Sequence, residues 1–582
     1  MTFRPSLRGL ALRDVGRQIV PSFWDLPAFA LLLGGFVLVA HAGRETLQPL
    51  SAIASSPISL DVAALPHYAL LTTLRMLGAI LLSLLFTLTY ATLAAKSRRA
   101  EMVLIPLLDI LQSVPVLGFL SFTVAGFMAL FPGRLLGVEL AAVFAIFTSQ
   151  AWNMAFSLYQ SLKTLPRDLE DVTRSFRLSP WQRFWRLEIP FAMPGLIWNT
   201  MMSMSGGWFF VVASEAISVG HTRIALPGIG SYVALAIEQR DLGAIGWALG
   251  AMLLIILLYD QLLFRPLVAW SETFRFELSA PSSVPESWLL NRIQRTRLLR
   301  LLLHPIGEGL RWLAALRLSP QHPVVAAPLR RLWSGRGVDF IFGAAIGLVA
   351  AYALWRVLHF VLGHVGPGEI LHVMLLGFVT LSRVLVLIAL ATLIWVPIGV
   401  WIGLRPRWAE RIQPLAQFLA AFPANLMFPA AVMAIVTFKL DPDIWLSPLM
   451  VLGTQWYILF NVVAGASAFP TDLKEAAASF RIQGWNWWRK VILPGIAPYY
   501  LTGAITASGG SWNASIVAEV ASWGNQRLEA HGLGAYIAKM TEAGDFPRLV
   551  LGIAVMSIFV VLLNRLLWRK LFGFAARNLR LD

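Results

Sequence analysis

Stretches of about 20 apolar residues, the length that crosses roughly 30 Å of hydrocarbon, recur along this chain and constrain its fold more than any other feature. Six lie in the first half, at 25–43, 68–94, 103–131, 138–160, 191–219 and 243–264. Six more lie in the second, at 339–362, 371–403, 412–438, 446–468, 495–521 and 546–567. The expectation is an all-α polytopic membrane protein with about 12 transmembrane helices. Several stretches exceed a bare span, which predicts tilt or breaks at Pro and Gly. Composition excludes the soluble alternative: 57% of the residues are hydrophobic and 13% charged, against about 25% charged in a soluble chain. The absence of Cys excludes disulfides, thiolate metal sites and cysteine nucleophiles.

Basic residues set the orientation. Arg4, Arg8, Arg13 and Arg17 precede the first stretch, and Lys96, Arg98 and Arg99 follow the second. Arg405, Arg407 and Arg411 stand at the matching place later, whereas 44–67 and 363–370 are nearly free of Lys and Arg. The positive-inside rule makes both termini and the basic loops cytoplasmic. The net charge, 47 − 31 = +16, belongs to these loops, and with no Gly-rich nucleic-acid signature beside it no nucleic-acid partner is expected. Ala40-His41-Ala42 resembles a signal-peptide cleavage site. The second half has an equivalent span at 339–362, so the first is read as retained.

The chain repeats itself. Arg75 falls on Arg383, Pro106 on Pro414 and Pro115 on Pro423, each 308 residues on. Further along the offset is 304: Phe176 meets Phe480, Trp181 Trp485, Pro190 Pro494, Trp208 Trp512, Glu215 Glu519, and Gly228 and Gly230 meet Gly532 and Gly534. Six spans per copy, both starting inside, make the repeats parallel, with a pathway expected between them. The domains read as 1–278, 339–582 and a linker at 279–338. The linker is rich in Arg and Leu and reads as a basic amphipathic segment on the cytoplasmic leaflet, a tether rather than a lipid or nucleotide sensor.

In each copy the longest cytoplasmic loop, 161–190 and 469–494, has one plan. Asp168 or Asp472 can cap a short helix, a bend follows near Pro180 or Gly484, and a second helix carries Trp and Arg, residue types that dominate protein interfaces. The loops resemble the EAA loop of type I ABC importer permeases. Glu475-Ala476-Ala477 with Leu493-Pro494 match its pattern closely, and Asp171-Val172-Thr173 with Ile189-Pro190 loosely. "WFFVVASE" (208–215) with "PGIGSYV" (227–233), echoed by "WNASIVAE" (512–519) with "HGLGAYI" (531–537), is similar to the nitrate/sulfonate/bicarbonate, or taurine-type, branch. The resemblance implies that Asp171, Arg177, Trp181, Pro190, Glu475, Ala476, Ala477, Arg481, Trp485 and Pro494 belong to loops that dock a separate ATPase dimer. It further implies a bacterial inner membrane location and a periplasmic substrate-binding protein. Two departures stand out: the motif Gly is Arg in both copies, Arg177 and Arg481, and two permeases are fused in one chain.

The chain has no G-x-x-x-x-G-K-[ST] and no Gly-Lys pair, so it cannot cradle a nucleotide by a P-loop. No catalytic or metal array is present, so ATP and Mg are expected on the partner and no cofactor on this chain. Ionisable groups at membrane depth are functional hypotheses. Arg75 and Arg383 guide an anion, or they pair with Glu215 and Glu519, or both. Asp109, opposite Gln417, breaks the symmetry. Gln112, Gln150, Asn153, Asn199, Gln455, Asn461 and Asn513 are expected along the pathway. Pro115 and Pro423, in mid-span, are expected at a gate or a packing kink. The function expected is an ATP-driven importer subunit for a small solute such as nitrate, sulfonate, taurine or bicarbonate. A ferric-ion or thiamine importer, a secondary transporter and a non-transporting scaffold are the alternatives.

Overall fold

The computed structural model describes residues 58–578, apart from 113, 220–221, 275–286, 296, 318–335, 468, 470 and 525. The first apolar stretch, the Arg residues before it and the cleavage-site question all lie outside the described residues.

The chain is helical almost throughout. Seven helices among the described residues are long and apolar enough to cross a membrane: Val62–Lys96, Leu135–Lys163, Leu242–Ser271, Gly343–Leu362, Pro367–Gly403, Gly484–Ala518 and Phe546–Ala575. The bent pair Pro442–Leu452 and Gln455–Ser467, kinked by 43°, makes an eighth. Among the described residues, other apolar stretches are broken, as their Pro residues lead one to expect. The third stretch of each copy is cut at its Pro, into Arg98–Leu111 and Val116–Leu130 in the first copy and Pro406–Ala421 and Phe428–Thr437 in the second. Pro lacks the N–H that would carry the helix ladder across the break. The helix Ile189–Glu215, 27 residues long, is also long enough to cross the hydrocarbon.

The all-α expectation also misses two small antiparallel hairpins. Ala216–Val219 pairs with Thr222–Ala225, and Val520–Trp523 pairs with Gln526–Glu529. Both fifth helices therefore end earlier than the apolar pattern suggests, at Glu215 and Ala518. Each hairpin leads into a short helix, Ile229–Gln239 or Leu533–Ala543.

By compactness the chain divides into two units. One contains Phe156–Met201 and Leu257–Asp339; the other contains Gln48–Ala155, Met202–Ile256 and Phe340–Asp582. The second unit holds residues of both repeats. Its core includes Ile402, Ala416, Ala420, Leu459, Phe460 and Val463, against which Trp395 and Trp456 pack. The helix Arg336–Leu362, by contrast, is exposed along most of its described length, as suits a helix whose solvent is lipid.

Candidate functional site

The first loop folds as a helix, an elbow and a second helix. Arg167–Ser175 begins after Pro166, with Asp168 and Glu170 in its first turn, where the helix dipole favours negative charge. Asp168 thus sits inside the helix and does not cap it; the capping position is Pro166. The Asp472 side chain lies outside the described residues. The helix closes with Leu178 N–H donating to the Thr173 carbonyl (3.1 Å) and Arg177 N–H to that of Arg174 (2.9 Å), a left-handed C-terminal cap. The residue at its centre, Arg177, has φ +48°, and its repeat partner Arg481 has φ +51°. The bend expected at Pro180 or Gly484 is thus centred three residues earlier, although Gly484 is also left-handed at φ +60°. Pro180 instead opens the next helix, where Ser179 and Gln182 form a reciprocal capping box.

The position where the motif has Gly is therefore one that needs φ > 0, and this chain puts Arg there twice. A left-handed L-residue costs roughly 1–2 kcal/mol, and Gly returns about 0.5–1 kcal/mol of that as unfolded-chain entropy. Arg481→Gly is accordingly expected to raise stability by up to about 1 kcal/mol, read as a rise in melting temperature in detergent. A fall would mean that the Arg side chain contributes more than its backbone costs.

Glu170 and Glu188 grip Arg183 at 2.5 and 3.0 Å, fastening the first loop helix to the start of the membrane helix. Asp171 and Arg177 are exposed, as are Glu475, Ala476 and Arg481. Ala477 is buried, and Pro190 and Pro494 are half-buried. Sequence reasoning matched Phe176 with Phe480 but did not single them out: they are 74% and 80% exposed. An aromatic ring held that far into water at the same point of both loops marks a surface built to be covered.

The first loop also contacts the linker. The linker folds as Trp288–Arg295 and Arg297–Ala315. Trp181 Nε1 donates to the Leu313 carbonyl and Gln182 Nε2 to that of Ala315, each at 2.7 Å. Both acceptors lie in the last turn of a helix, where carbonyls lack intrahelical partners. Trp485 is 72% exposed.

At the other end of the repeats, Arg75 is buried in a full set of acceptors. Glu139 takes its Nε and Nη2 (2.6 Å each), and Glu215 and the Pro227 carbonyl take Nη1 (2.8 Å each). Thr72 Oγ1 donates to Glu215 at 2.7 Å and accepts the Ile229 N–H at 3.0 Å. The second copy repeats the plan: Arg383 meets Asp443 at 3.0 Å, Glu519 at 3.3 Å and the His531 carbonyl at 2.8 Å. Thr380 donates to Glu519 at 2.8 Å. The glycine pairs have a reason here. A Cβ on Gly228 would lie 2.3 Å from the Glu215 carboxyl carbon, and one on Gly532 2.2 Å from a Glu519 oxygen. A Cβ on Gly230 would meet the Val212 carbonyl oxygen at 2.3 Å, and one on Gly534 that of Ser515 at 2.4 Å. Glu139 and Asp443 were missed, although they stand 304 residues apart in the established offset. Each guanidinium thus meets two carboxylates, so Arg75 and Arg383 are ion-paired in this geometry.

The helix breaks at Pro115 and Pro423 flank a cavity of about 290 Å³. The N–H released at Val116 donates to Asn513 Oδ1 of the other repeat at 2.7 Å, and Asn425 Nδ2 reaches back to the Phe209 carbonyl at 3.5 Å. Among its lining residues are Gln112, Asn153 and Asn513 from the expected pathway set, and the aromatic residues Trp152, Phe209, Phe422 and Tyr457. The others serve elsewhere. Gln150 donates to the Met76 sulfur, Asn199 to Ser157 and Asn461 to the Tyr457 carbonyl, while Gln455 accepts from Trp395. The Asp109 side chain lies outside the described residues. Among the described residues, none that lines the cavity is charged, and no group of His, Asp and Glu could hold a metal.

The family model of the binding-protein-dependent transport system inner membrane component matches the chain twice, over residues 87–265 and 395–570. The bicarbonate transport system permease protein CmpB of Synechococcus elongatus is 27% identical over 186 residues, 32% of this chain and 64% of that protein. The nitrate import permease protein NrtB of Leptolyngbya laminosa is 26% identical over 187 residues, 32% of this chain and 63% of that one. The glycine betaine/proline betaine transport system permease protein ProW of Escherichia coli is 28% identical over 191 residues, 33% of this chain and 50% of it. The chain thus spans less than two thirds of the length of these relatives.

Proposed function

The chain belongs to the family of binding-protein-dependent transport system inner membrane components, in two copies, and from that premise we propose that it is the translocating permease subunit of an ATP-driven importer for a small anion. The family is a non-catalytic, multi-pass component of the inner membrane. Nitrate and bicarbonate serve as models for the solute, from the relatives named for them. ATP and Mg belong to a separate ATPase dimer, and a periplasmic binding protein delivers the solute from outside, with both termini of this chain in the cytoplasm. Closure of the ATPase dimer pushes on the two elbows, and the repeats rock about the cavity that their broken helices flank.

The observation that carries this reading is the duplicated elbow, left-handed at Arg177 and Arg481 and tipped by Phe176 and Phe480. A duplicated, exposed apolar tip needs a partner with two equivalent grooves. The test is a mild-detergent pull-down of the tagged full chain from its host, with Glu475→Arg and a 171–181 deletion beside it. An ATPase at about two copies per chain with the wild type, lost in both variants while the chain still elutes as a monodisperse peak, is the expected result. Unchanged ATPase recovery in the variants would remove the elbows from the coupling surface.

A further inference from the structure

We propose that the two hairpins form a gate over one end of the cavity, and that the turn of the second hairpin is its latch. Gly524 in that turn fastens to Ile237 and Arg240 of the other repeat, and the contact must release each time solute passes that end. The inference rests on the importer reading above, and adds which contacts have to break.

Each hairpin follows the membrane helix that a coupling loop leads into, and stands beyond the cavity. The last cavity-lining residues of those helices, Phe210 and Ala514, lie about 9 Å short of the hairpins at 1.5 Å per residue, which begin at Ala216 and Val520. The hairpins then cross over. Ala216–Val219 of the first copy lies against the helix Leu533–Ala543 of the second, and Val520–Trp523 of the second against Ile229–Gln239 of the first. Ala521 and Trp523, which share one face of their strand, are buried.

The turn carries the crossing bond. The Gly524 N–H donates to the Ile237 carbonyl at 2.9 Å, one of the last carbonyls of its helix, which lack the usual intrahelical partners. Arg240 caps that helix at φ +58°, where its repeat partner is Gly544 at φ +67°, the residue that suits such a backbone. An Arg placed there works against its own backbone, and its side chain lies on the turn. A Cβ on Gly524 would run into Arg240 Nε and lie 2.7 Å from its Cγ. Gly524, itself at φ +58°, thus leaves the room that the Arg240 side chain fills. One backbone bond under an exposed side chain is weak enough to open on every cycle. Repeats that rock about the cavity cannot part at this end while it is closed.

The chain has no Cys, so a cross-link can be introduced without background. With Arg240 Cγ 2.7 Å from a Cβ at 524, cysteines at the two positions bring their Cβ atoms into the roughly 3.5–4.5 Å range of a disulfide. Host cells carrying the full chain, its deletion, Arg240→Cys with Gly524→Cys, or either single variant are assayed for uptake of ¹⁵N-nitrate and ¹⁴C-bicarbonate. Each is measured reduced with dithiothreitol, oxidised with copper phenanthroline and reduced again, with the linked peptide quantified by mass spectrometry. Expected is a chain-dependent uptake that falls at least about tenfold in the oxidised double variant, returns on reduction and stays unchanged in the single variants. Full uptake with most chains linked, an equal loss in a single variant, or no link in a folded chain would each overturn the gate. If deleting the chain alters uptake of neither probe, the importer reading on which the inference rests falls with it. Where the double variant does not accumulate, Arg240→Gly supplies a second measurement, because Gly suits the backbone and removes the side chain over the turn. ATP hydrolysis by the purified chain with its ATPase, without solute, is expected to rise at least about threefold as the closed gate loses stability; unchanged hydrolysis would overturn the latch.

Discussion

Arg75→Ala is expected to cost more stability than any other single substitution in the membrane region, because it strands two buried carboxylates with no cation between them. Glu139 and Glu215 are 9% and 0% exposed in their side chains, and removing one partner of such a buried set costs about 3–5 kcal/mol. That is a large fraction of the roughly 5–15 kcal/mol by which domains are stable, so the variant is expected to reach the membrane in much reduced amount and to lose its cooperative melt in detergent. Arg383→Ala should cost clearly less. Arg383 is 11% exposed and Asp443 38%, and the second carboxylate keeps the His531 backbone N–H at 2.6 Å and the imidazole at 2.9 Å. Charge, not shape, is the cause invoked, which makes the effect reversible: Arg75→Met with Glu139→Gln and Glu215→Gln should recover most of the loss, since neutral replacements of buried ion sets are often tolerated. A melt of Arg75→Ala indistinguishable from wild type would show that the cluster does not hold these helices together.

That cluster also shows what could be read without coordinates. Arg75, Glu215 and their partners 308 and 304 residues on were legible because a charge inside an apolar run is conspicuous and a second copy repeats it. Glu139 and Asp443 were not, because one follows a Gly-Val pair in an apolar helix and the other a Pro in a loop-like run, and only the offset joins them. The elbow was legible as a loop plan but not as a backbone conformation. Gly signals φ > 0, and an Arg in its place hides the signal that Arg177 and Arg481 carry at φ +48° and +51°. Where the spans break was hidden for a related reason. Hydropathy sees composition, whereas Pro115 and Pro423 stand where a new helical segment starts, and the runs after Glu215 and Glu519 turn into hairpins whose apolar residues look like helix continuation.

Phe480→Ala is expected to give the largest functional loss. The ring is 80% exposed, so its removal costs the isolated chain almost nothing, and melting should stay within error of wild type. Its value lies in what covers it. An aromatic anchor seated in a partner's pocket contributes about 2 kcal/mol or more, and at about 1.4 kcal/mol per tenfold the ATPase should bind the altered elbow at least about 30-fold more weakly. If, as proposed, two elbows engage one ATPase dimer, the second contact is made at high effective concentration. Losing one anchor should therefore lower transport more than it lowers recovery of the complex, and losing Phe176 as well should abolish both. The elbows should not be equivalent. Trp181 has committed its N–H to the Leu313 carbonyl of the linker helix, whereas Trp485 stands 72% exposed beside Phe480. The second elbow thus offers two aromatic anchors and the first only one. Phe480→Ala with Trp485→Ala should then weaken ATPase recovery more than Phe176→Ala with Trp181→Ala, whose main effect falls on the linker. Equal losses would show that the linker contact leaves the first elbow as free as the second. No loss from either pair would place the docking surface elsewhere on the chain.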